Sequence, residues 1–374
     1  MKKLTLSLLI TTLFYTGYSG AAVLYNQDGR KVELKGSLRM MLDGHSTRSR
    51  VGGTNKYNLD DEGSRIGFRF QQQVNDKLNA LVYYEWGNDT QATEDKDDFN
   101  FTNRQAYGGI HYKGIGEFDF GRVYVPFNDV HQSDYTYEFG NNGALYYGGK
   151  KIKRVAGGGN NYIKRISNTF EYMSDEYDGF RFGASYTLQD KTDINDINYA
   201  FSTAVYYDMP VNLHLRAGYA QQKSNGSTNA NIGSKFNDIL PAKESIWGIS
   251  AKYDIPDKGL SFAVDYGGEK IDNGNEGVNH KYKPYGASPH AKLFGVGSRW
   301  AFNKKESVYA TWAIRDGDDA ADNYQETRTV LGTDYKFSKA FILWLEYSSQ
   351  NNRSNSKSDK KTDDKTALGI RYFF

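Results

Sequence analysis

Val32-Glu33-Leu34-Lys35-Gly36-Ser37-Leu38-Arg39-Met40 sets Val32, Leu34, Leu38 and Met40 in one phase and Glu33, Lys35, Ser37 and Arg39 in the other. Successive side chains of an extended chain point to opposite faces, so a period of two predicts a strand with one apolar and one polar face. The rhythm recurs along the chain. Ile66, Phe68 and Phe70 alternate with Arg65 and Arg69, and Phe180, Phe182, Ala184 and Tyr186 with Arg181, Gly183 and Ser185. Leu331, Thr333, Tyr335 and Phe337 alternate with Gly332, Asp334 and Lys336; at the end, Leu368, Ile370, Tyr372 and Phe374 alternate with Gly369 and Arg371. About 16 such segments start near residues 32, 59, 77, 101, 116, 160, 179, 197, 211, 243, 259, 289, 305, 325, 340 and 364.

The connections alternate in length. Short turns such as Tyr207-Asp208-Met209-Pro210, Pro256-Asp257-Lys258-Gly259 and Asn303-Lys304-Lys305 follow one strand of each pair. Polar excursions such as Gln221 to Ala242 and Gln350 to Lys365 follow the other. A soluble β-sandwich or β-solenoid also alternates, but its apolar faces pack on each other and its connections need no such asymmetry. An even number of strands with short turns at one rim and long loops at the other is the layout of a transmembrane barrel.

Composition favours the barrel. The chain carries 30 Tyr, 21 Phe and 39 Gly against 6 Pro and 5 Met, too aromatic for a disordered chain. Lys2 and Lys3 precede an apolar stretch from Leu4 to Phe14, and Ser19-Gly20-Ala21 supplies the small residues of a signal-peptidase site, which predicts cleavage after Ala21. Residues 1–21 are therefore expected to be a signal peptide and 22–374 a single barrel domain. Beyond that segment no apolar run is long enough for a transmembrane helix. With 47 basic and 45 acidic residues, and 45 of each once Lys2 and Lys3 are gone, the chain lacks the basic surplus of a nucleic-acid binder. It has no Cys, hence no disulfide framework or thiolate site. The six His show no paired metal spacing, and neither G-x-S-x-G nor H-E-x-x-H occurs, so no enzyme activity, metal or cofactor is expected.

Five stretches carry a family resemblance. They are Val23-Leu24-Tyr25-Asn26-Gln27-Asp28-Gly29 with Val32-Glu33-Leu34-Lys35-Gly36; Ser64-Arg65-Ile66-Gly67-Phe68; Gly116-Glu117-Phe118-Asp119-Phe120-Gly121-Arg122; Glu138-Phe139-Gly140; and Ile370-Arg371-Tyr372-Phe373-Phe374. In these the chain resembles the trimeric general-diffusion porins of enterobacteria and the Pasteurella group; residues from about 190 to 360 match only in strand rhythm. The resemblance implies a 16-stranded antiparallel transmembrane β-barrel with a constricting third extracellular loop, passive diffusion of small hydrophilic solutes and ions, and a homotrimer in outer-membrane lipid and lipopolysaccharide. It also implies recognition of the terminal Phe374 by the barrel-assembly machinery.

By position, the resemblance makes Asp134 and Glu138 an acidic pair on the third loop, facing a wall of Arg65, Arg104 and Arg165, with Arg122 as a further member. Strand phase supports part of this: Arg65 is out of phase with Ile66 and Phe68, and Arg165 with Ile166, Phe170 and Tyr172, so both are expected to point away from lipid. Arg122 shares phase with Phe118 and Phe120 and can face the lumen only across a bulge. Ser37 stands where many relatives have a basic residue, and Arg39, one pleat further, is expected to take that place. Tyr137 and Asn141 depart from a common proline and glycine. Lys150, Lys151, Lys153 and Arg154 form a basic run that would favour anions if it lined the lumen.

Two readings remain beside a non-specific porin. A solute-selective porin for sugars, phosphate or oligosaccharides would carry a run of lumen-facing aromatics, and a barrel adhesin or enzyme would conduct no ions.

Overall fold

The structure is a computed structural model; it describes residues 21–49, 52–88, 101–140, 160–191, 196–224, 227–228, 238–239, 242–272, 290–318, 324–354 and 357–374. Sixteen strands close into one antiparallel barrel. They are β1 (Arg30–Ser49), β2 in two runs (Gly52–Asp61 and Arg65–Gln73), β3 (Leu78–Asn88), β4 (Phe101–Tyr112), β5 (Gly116–Tyr124), β6 (Arg165–Ser174), β7 (Phe180–Thr187), β8 (Asp196–Met209), β9 (Leu213–Ser224), β10 (Ala242–Ile255), β11 (Leu260–Asp272), β12 (His290–Ala301), β13 (Glu306–Asp318), β14 (Tyr324–Lys336), β15 (Phe341–Ser354) and β16 (Lys357–Phe373). Each pairs with the next. The circle closes where Ser37 to Arg48 of β1 pair with Phe373 to Thr362 of β16. The N-terminal run Ala22–Gln27 pairs with Arg30 to Leu34, continuing the line of β16 along β1. Phe374 seals the junction by exchanging backbone hydrogen bonds with Gly36 at 2.9 and 3.1 Å.

All sixteen expected segments are strands, with one boundary to correct. The segment expected from about residue 160 opens as a 3₁₀ turn, Asn160–Ile163, and β6 begins only at Arg165. Several short turns are closed by one device. Asn75 Oδ1 accepts from the backbone N–H groups of Lys77 and Leu78, Asn303 Oδ1 from Lys305 and Glu306, and Ser338 Oγ from Ala340 and Phe341. A short polar side chain that bonds the backbone two or three residues on replaces a turn of ladder and fixes the hairpin register.

Burial is inverted relative to a water-soluble sheet. Ile249 on β10 and Phe262 on β11 are 49% and 47% exposed, whereas Asp265 on β11 and Glu346 on β15 are 0% exposed. The apolar phase thus covers the outside of the wall and the polar phase the inside, as hydrocarbon around a hydrated lumen requires. Near the short-turn rim the outer face carries an aromatic band: Trp300 with Phe302, Tyr335 with Phe337, and Phe337 with Phe341 have ring centres 4.8 to 5.6 Å apart. Amphipathic rings of this kind sit at a membrane interface.

Candidate functional site

The connection from β5 to β6 turns into the barrel. Its first part, Pro126–Asp129, is a 3₁₀ turn. Phe127 and Val130 pack with Tyr162, Ile163 and Ile166 against Ala200, Ala204, Tyr206, Ala220 and Ile246. Those wall residues share phase with buried Ser202, Gln222 and Ser250 and are out of phase with exposed Val205, Trp247 and Ile249, so this cluster lies on the lumen side.

From there residues 126–140 follow the inner wall from strand to strand. Phe127 N–H donates to Ser202 Oγ at 2.9 Å, and Ser250 Oγ donates to the Val130 carbonyl at 2.5 Å. Asp265 accepts from the backbone of Gln132 and Ser133 and from Ser133 Oγ, at 2.8, 3.1 and 2.5 Å. Glu346 accepts from three consecutive backbone N–H groups, those of Tyr137 at 2.5 Å and of Glu138 and Phe139 at 3.0 Å, and from Tyr309 Oη at 2.9 Å. Arg371 donates to the Tyr137 carbonyl at 2.6 Å and Arg328 to the Phe139 carbonyl at 2.7 Å. Tyr137 stacks on Trp344, and Phe139 packs with Val330, Trp344 and Ala367. A loop with its backbone groups paired this way, strand after strand, is part of the wall rather than a solvated excursion.

Asp134 and Glu138 differ within this segment. Asp134 Oδ1 accepts from Thr136 N–H at 3.0 Å and Thr136 Oγ1 at 2.7 Å, so one of its oxygens shapes the loop itself. Glu138 lies near Glu62, Glu346, Arg371 and Lys365; its burial, with the negative charge of Glu62 and Glu346, pushes its carboxyl up to about 7. Burial likewise raises the Tyr135 phenol, to about 12, and lowers the His131 imidazole.

A belt of guanidinium groups crosses neighbouring strands and meets the loop at Arg371, which donates to the Tyr137 carbonyl. Arg371 of β16 and Arg39 of β1 are direct cross-strand partners. Arg65 of β2 pairs with Ser37 and lies within electrostatic range of Arg104, Arg371 and Glu85. Arg104 of β4 donates to Glu85 at 2.7 Å and to Tyr124 Oη at 3.4 Å, and Arg165 of β6 lies 5.3 Å over the Tyr124 ring. Arg122 of β5 donates to the Arg104 carbonyl at 3.2 Å and to Ser167 Oγ at 3.1 Å. Glu62 is inserted in the belt: Arg371 Nε donates to it at 2.8 Å and Arg39 stands 3.8 Å away.

Two β-bulges make this belt possible. The β3–β4 register shifts between Glu85 and Trp86, where Arg104 is the extra residue. Plain alternation from exposed Ile110 would send Arg104 to lipid; the bulge turns it inward over Gly87, where a Cβ would meet Arg104 Cδ at 2.5 Å. The second shift lies between Gly121 and Val123, opposite Ile166 and Thr169. Gly121 has φ +139°, a region closed to side-chain-bearing residues, and a Cβ there would strike the Ala106 carbonyl. This is the bulge that Arg122 required. It also corrects the phase argument for Arg165. Ile166 is only 2% exposed and packs inside with Phe127 rather than facing lipid with Phe170. The Arg165 position follows from the bulge and its pairing with Tyr124, not from uninterrupted alternation.

The model of the Gram-negative porins matches residues 6–356. The chain belongs to the Gram-negative porin family. Over its whole length the porin is 25% identical to the whole of the major outer membrane protein of Pasteurella multocida strain Pm70. Its fold is similar to that of an anion-selective porin from Comamonas acidovorans, with TM-score 0.72 at 17% identity over 92% of this chain and 100% of the other. It is also similar to OmpT, an outer membrane protein of Vibrio cholerae solved in a trimer form, with TM-score 0.68 at 19% identity over 93% and 100%. The porin is a barrel of the outer membrane that forms a water-filled channel for passive diffusion of small hydrophilic solutes and ions.

Arg39, Arg65, Arg104, Arg122 and Arg165 thus lie on β1, β2, β4, β5 and β6 of the porin, with Glu85 on the intervening β3, while Asp134 and Glu138 lie on the segment between β5 and β6. Lys150, Lys151, Lys153 and Arg154 lie outside the described residues, as do residues 1–20. Four residues that sequence reading left out of the site hold it together: Glu62, Glu85, Glu346 and Arg371. The last two were available from phase, since Glu346 stands between Leu345 and Tyr347 and Arg371 between Ile370 and Tyr372.

Proposed function

We propose that the belt of Arg39, Arg65, Arg104, Arg122, Arg165 and Arg371 is the selectivity filter of a non-specific porin with a preference for anions, and that Asp134 and Glu138 form its acidic counterpart. One observation carries this reading. Arg65 Nε and Arg165 Nη1 are buried donors with no hydrogen-bond acceptor among the described residues, so the positive charge of the belt is incompletely matched by protein acceptors. Six guanidinium groups are interleaved with only two carboxylates, Glu62 and Glu85, and the local field is therefore positive. In a narrow hydrated gap such a field favours anions, and the facing carboxylates keep it transverse so that dipolar solutes also pass.

Channel activity without a catalytic step is part of the same proposal, as is assembly into a homotrimer through apolar outer faces such as that of Leu38, Met40 and Leu42 on β1. Outer-membrane lipid and lipopolysaccharide would surround the remaining faces, and Phe374 would be read by the barrel-assembly machinery.

The test is the reversal potential of the purified porin in a planar bilayer under a KCl gradient. The wild-type chain is expected to show anion preference, and Arg65→Ala combined with Arg165→Ala to shift it toward cations. Unchanged selectivity in the double variant would remove both residues from the filter, and saturable block by one sugar would favour a solute-selective porin.

A further inference from the structure

The outward phase of β9 to β12 carries charge at one level, the long-loop rim. Lys223 on β9, Lys243 on β10, Lys270 on β11 and Lys292 on β12 are all exposed there. Each continues the phase of an outward aromatic ring. Lys223 lies four residues beyond Tyr219, Lys243 four before Trp247, Lys270 four beyond Tyr266 and Lys292 two before Phe294. No register shift interrupts these ladders, so parity turns the four lysines toward the lipid side rather than the lumen. Outward rings mark a membrane interface. At about 3.3 Å per residue, the lysines stand ~7–13 Å further along the strands, at the level of lipid headgroups.

The row is continuous. Lys223 and Lys243 are direct cross-strand partners. Lys270 pairs with Ser245 and His290, and Lys292 with Gly268, so each lysine has another at the same or the next same-face position of a neighbouring strand. Like charges directly opposite each other destabilise a ladder. Their compensation within the protein is partial. Asp272 is the cross-strand partner of Lys243 but forms its ion pair with Lys270, at 3.0 Å, and Asp316 stands across from Lys292. Lys223, Lys243 and Lys292 form no ion pair among the described residues. The pattern is also local: near the barrel closure the same rim turns Tyr57, Leu59 and Tyr347 outward, with Tyr347 Oη donating to Asp364.

We propose that this row docks the phosphorylated headgroup of a glycolipid in the leaflet at the long-loop rim. The inference rests on the reading that outer-membrane lipid and lipopolysaccharide surround this face, and adds to it a fixed site. Charge selects phosphate, because clustered lysines beside a membrane attract anionic headgroups, whereas a zwitterionic one offers no net charge. Width selects two phosphates rather than one. Three inter-strand steps of about 4.8 Å make the row ~14 Å wide, so a phosphate at Lys223 and Lys243 leaves Lys270 and Lys292 for a second, one disaccharide away. Lysine suits such a contact, since its ammonium is a mobile point charge with three donors and needs no fixed geometry. Trp247 lies against Gly268, where a Cβ would meet its Nε1 at 2.7 Å, and makes a T-shaped contact with Tyr266 at 5.5 Å. These rings give the first carbons of the acyl chains an apolar floor beneath the headgroup.

The test is native mass spectrometry of the purified, folded porin in a neutral detergent, titrated with bis-phosphorylated lipid A, its monophosphoryl form or phosphatidylcholine. Saturable adducts are expected with lipid A, weaker ones with the monophosphoryl form, and none with phosphatidylcholine. Lys223→Gln with Lys243→Gln, and Lys270→Gln with Lys292→Gln, are each expected to weaken the apparent affinity for lipid A about 30-fold, the scale of two lysines beside an anionic headgroup. Lys304→Gln with Lys305→Gln, exposed at the opposite rim, should leave it unchanged. Equal binding of lipid A and phosphatidylcholine, full affinity in both double variants of the row, or an equal loss in the opposite-rim variant would overturn the proposal. Conductance steps in a phosphatidylcholine bilayer show that each variant is folded. A wild-type chain that failed to enter that bilayer would instead sink the outer-membrane reading, so the two failures are distinguishable.

Discussion

Glu346→Gln isolates what holds the inserted loop. The carboxylate is fully buried and accepts four hydrogen bonds, three of them from the backbone of Tyr137, Glu138 and Phe139. An amide of the same shape has one acceptor oxygen. If that oxygen faces Glu138 and Phe139, the new NH₂ faces Tyr137 N–H and Tyr309; the phenol can rotate to accept, but the Tyr137 N–H cannot. At least one buried donor is then orphaned, at a cost of about 1–3 kcal/mol, and the remaining bonds lose the reinforcement of the charge. Arg371, Arg328 and the packing of Phe139 stay, so the tip should not leave the wall. A net loss of about 2 kcal/mol corresponds to a ~30-fold larger population of locally open loop, at 1.4 kcal/mol per factor of ten. Amide hydrogen exchange at residues 137–139 of the folded barrel reads this population. Exchange faster by about that factor, with the β10 and β11 amides unchanged, is expected. Exchange within threefold of wild type would refute the latch.

Other expectations follow from the same geometry. Because the Glu138 carboxyl titrates near 7, it is mainly neutral at pH 6 and mainly negative at pH 8; anion preference should therefore fall as pH rises across this interval, and Glu138→Gln should flatten that dependence in reversal-potential measurements. Gly121→Ala places a Cβ against the Ala106 carbonyl at φ +139°; strain of about 2 kcal/mol or more should lower the urea midpoint of the refolded barrel, and an unshifted midpoint would mean that the bulge relaxes freely. Deleting Phe374 removes both backbone bonds to Gly36 at the closure point, and should reduce the yield of folded barrel on a heat-modifiability gel.

The fold was legible because a membrane barrel writes its two solvents into alternate residues. Each strand, from Val32-Glu33-Leu34 to Ile370-Arg371-Tyr372, carries the signal locally, and no long-range information is needed to find it. Where alternation holds, it also placed Ser37, Arg39 and Arg65 correctly on the polar face. It fails where the ladder gains a residue. Arg104 and Arg122 reach the lumen through bulges that depend on pairing between strands, which one strand's pattern cannot reveal, and Ile166 switches sides for the same reason. The Gly121-Arg122 pair carried a hint, since a glycine beside a charged residue in the apolar phase is a bulge signature. The partners of the inserted loop were hidden differently. Glu346 and Asp265 were visibly lumenal, but the strands that residues 126–140 would touch depend on the three-dimensional path of the loop.

Everything above requires a continuous hydrated passage through a wall whose apolar side chains face lipid. The most direct measurement is the conductance of the purified, folded protein in a planar lipid bilayer. Discrete steps that scale with salt concentration and vary linearly with small applied voltages are the expected result. A protein that inserts as a folded barrel and yet produces no steps would contradict it.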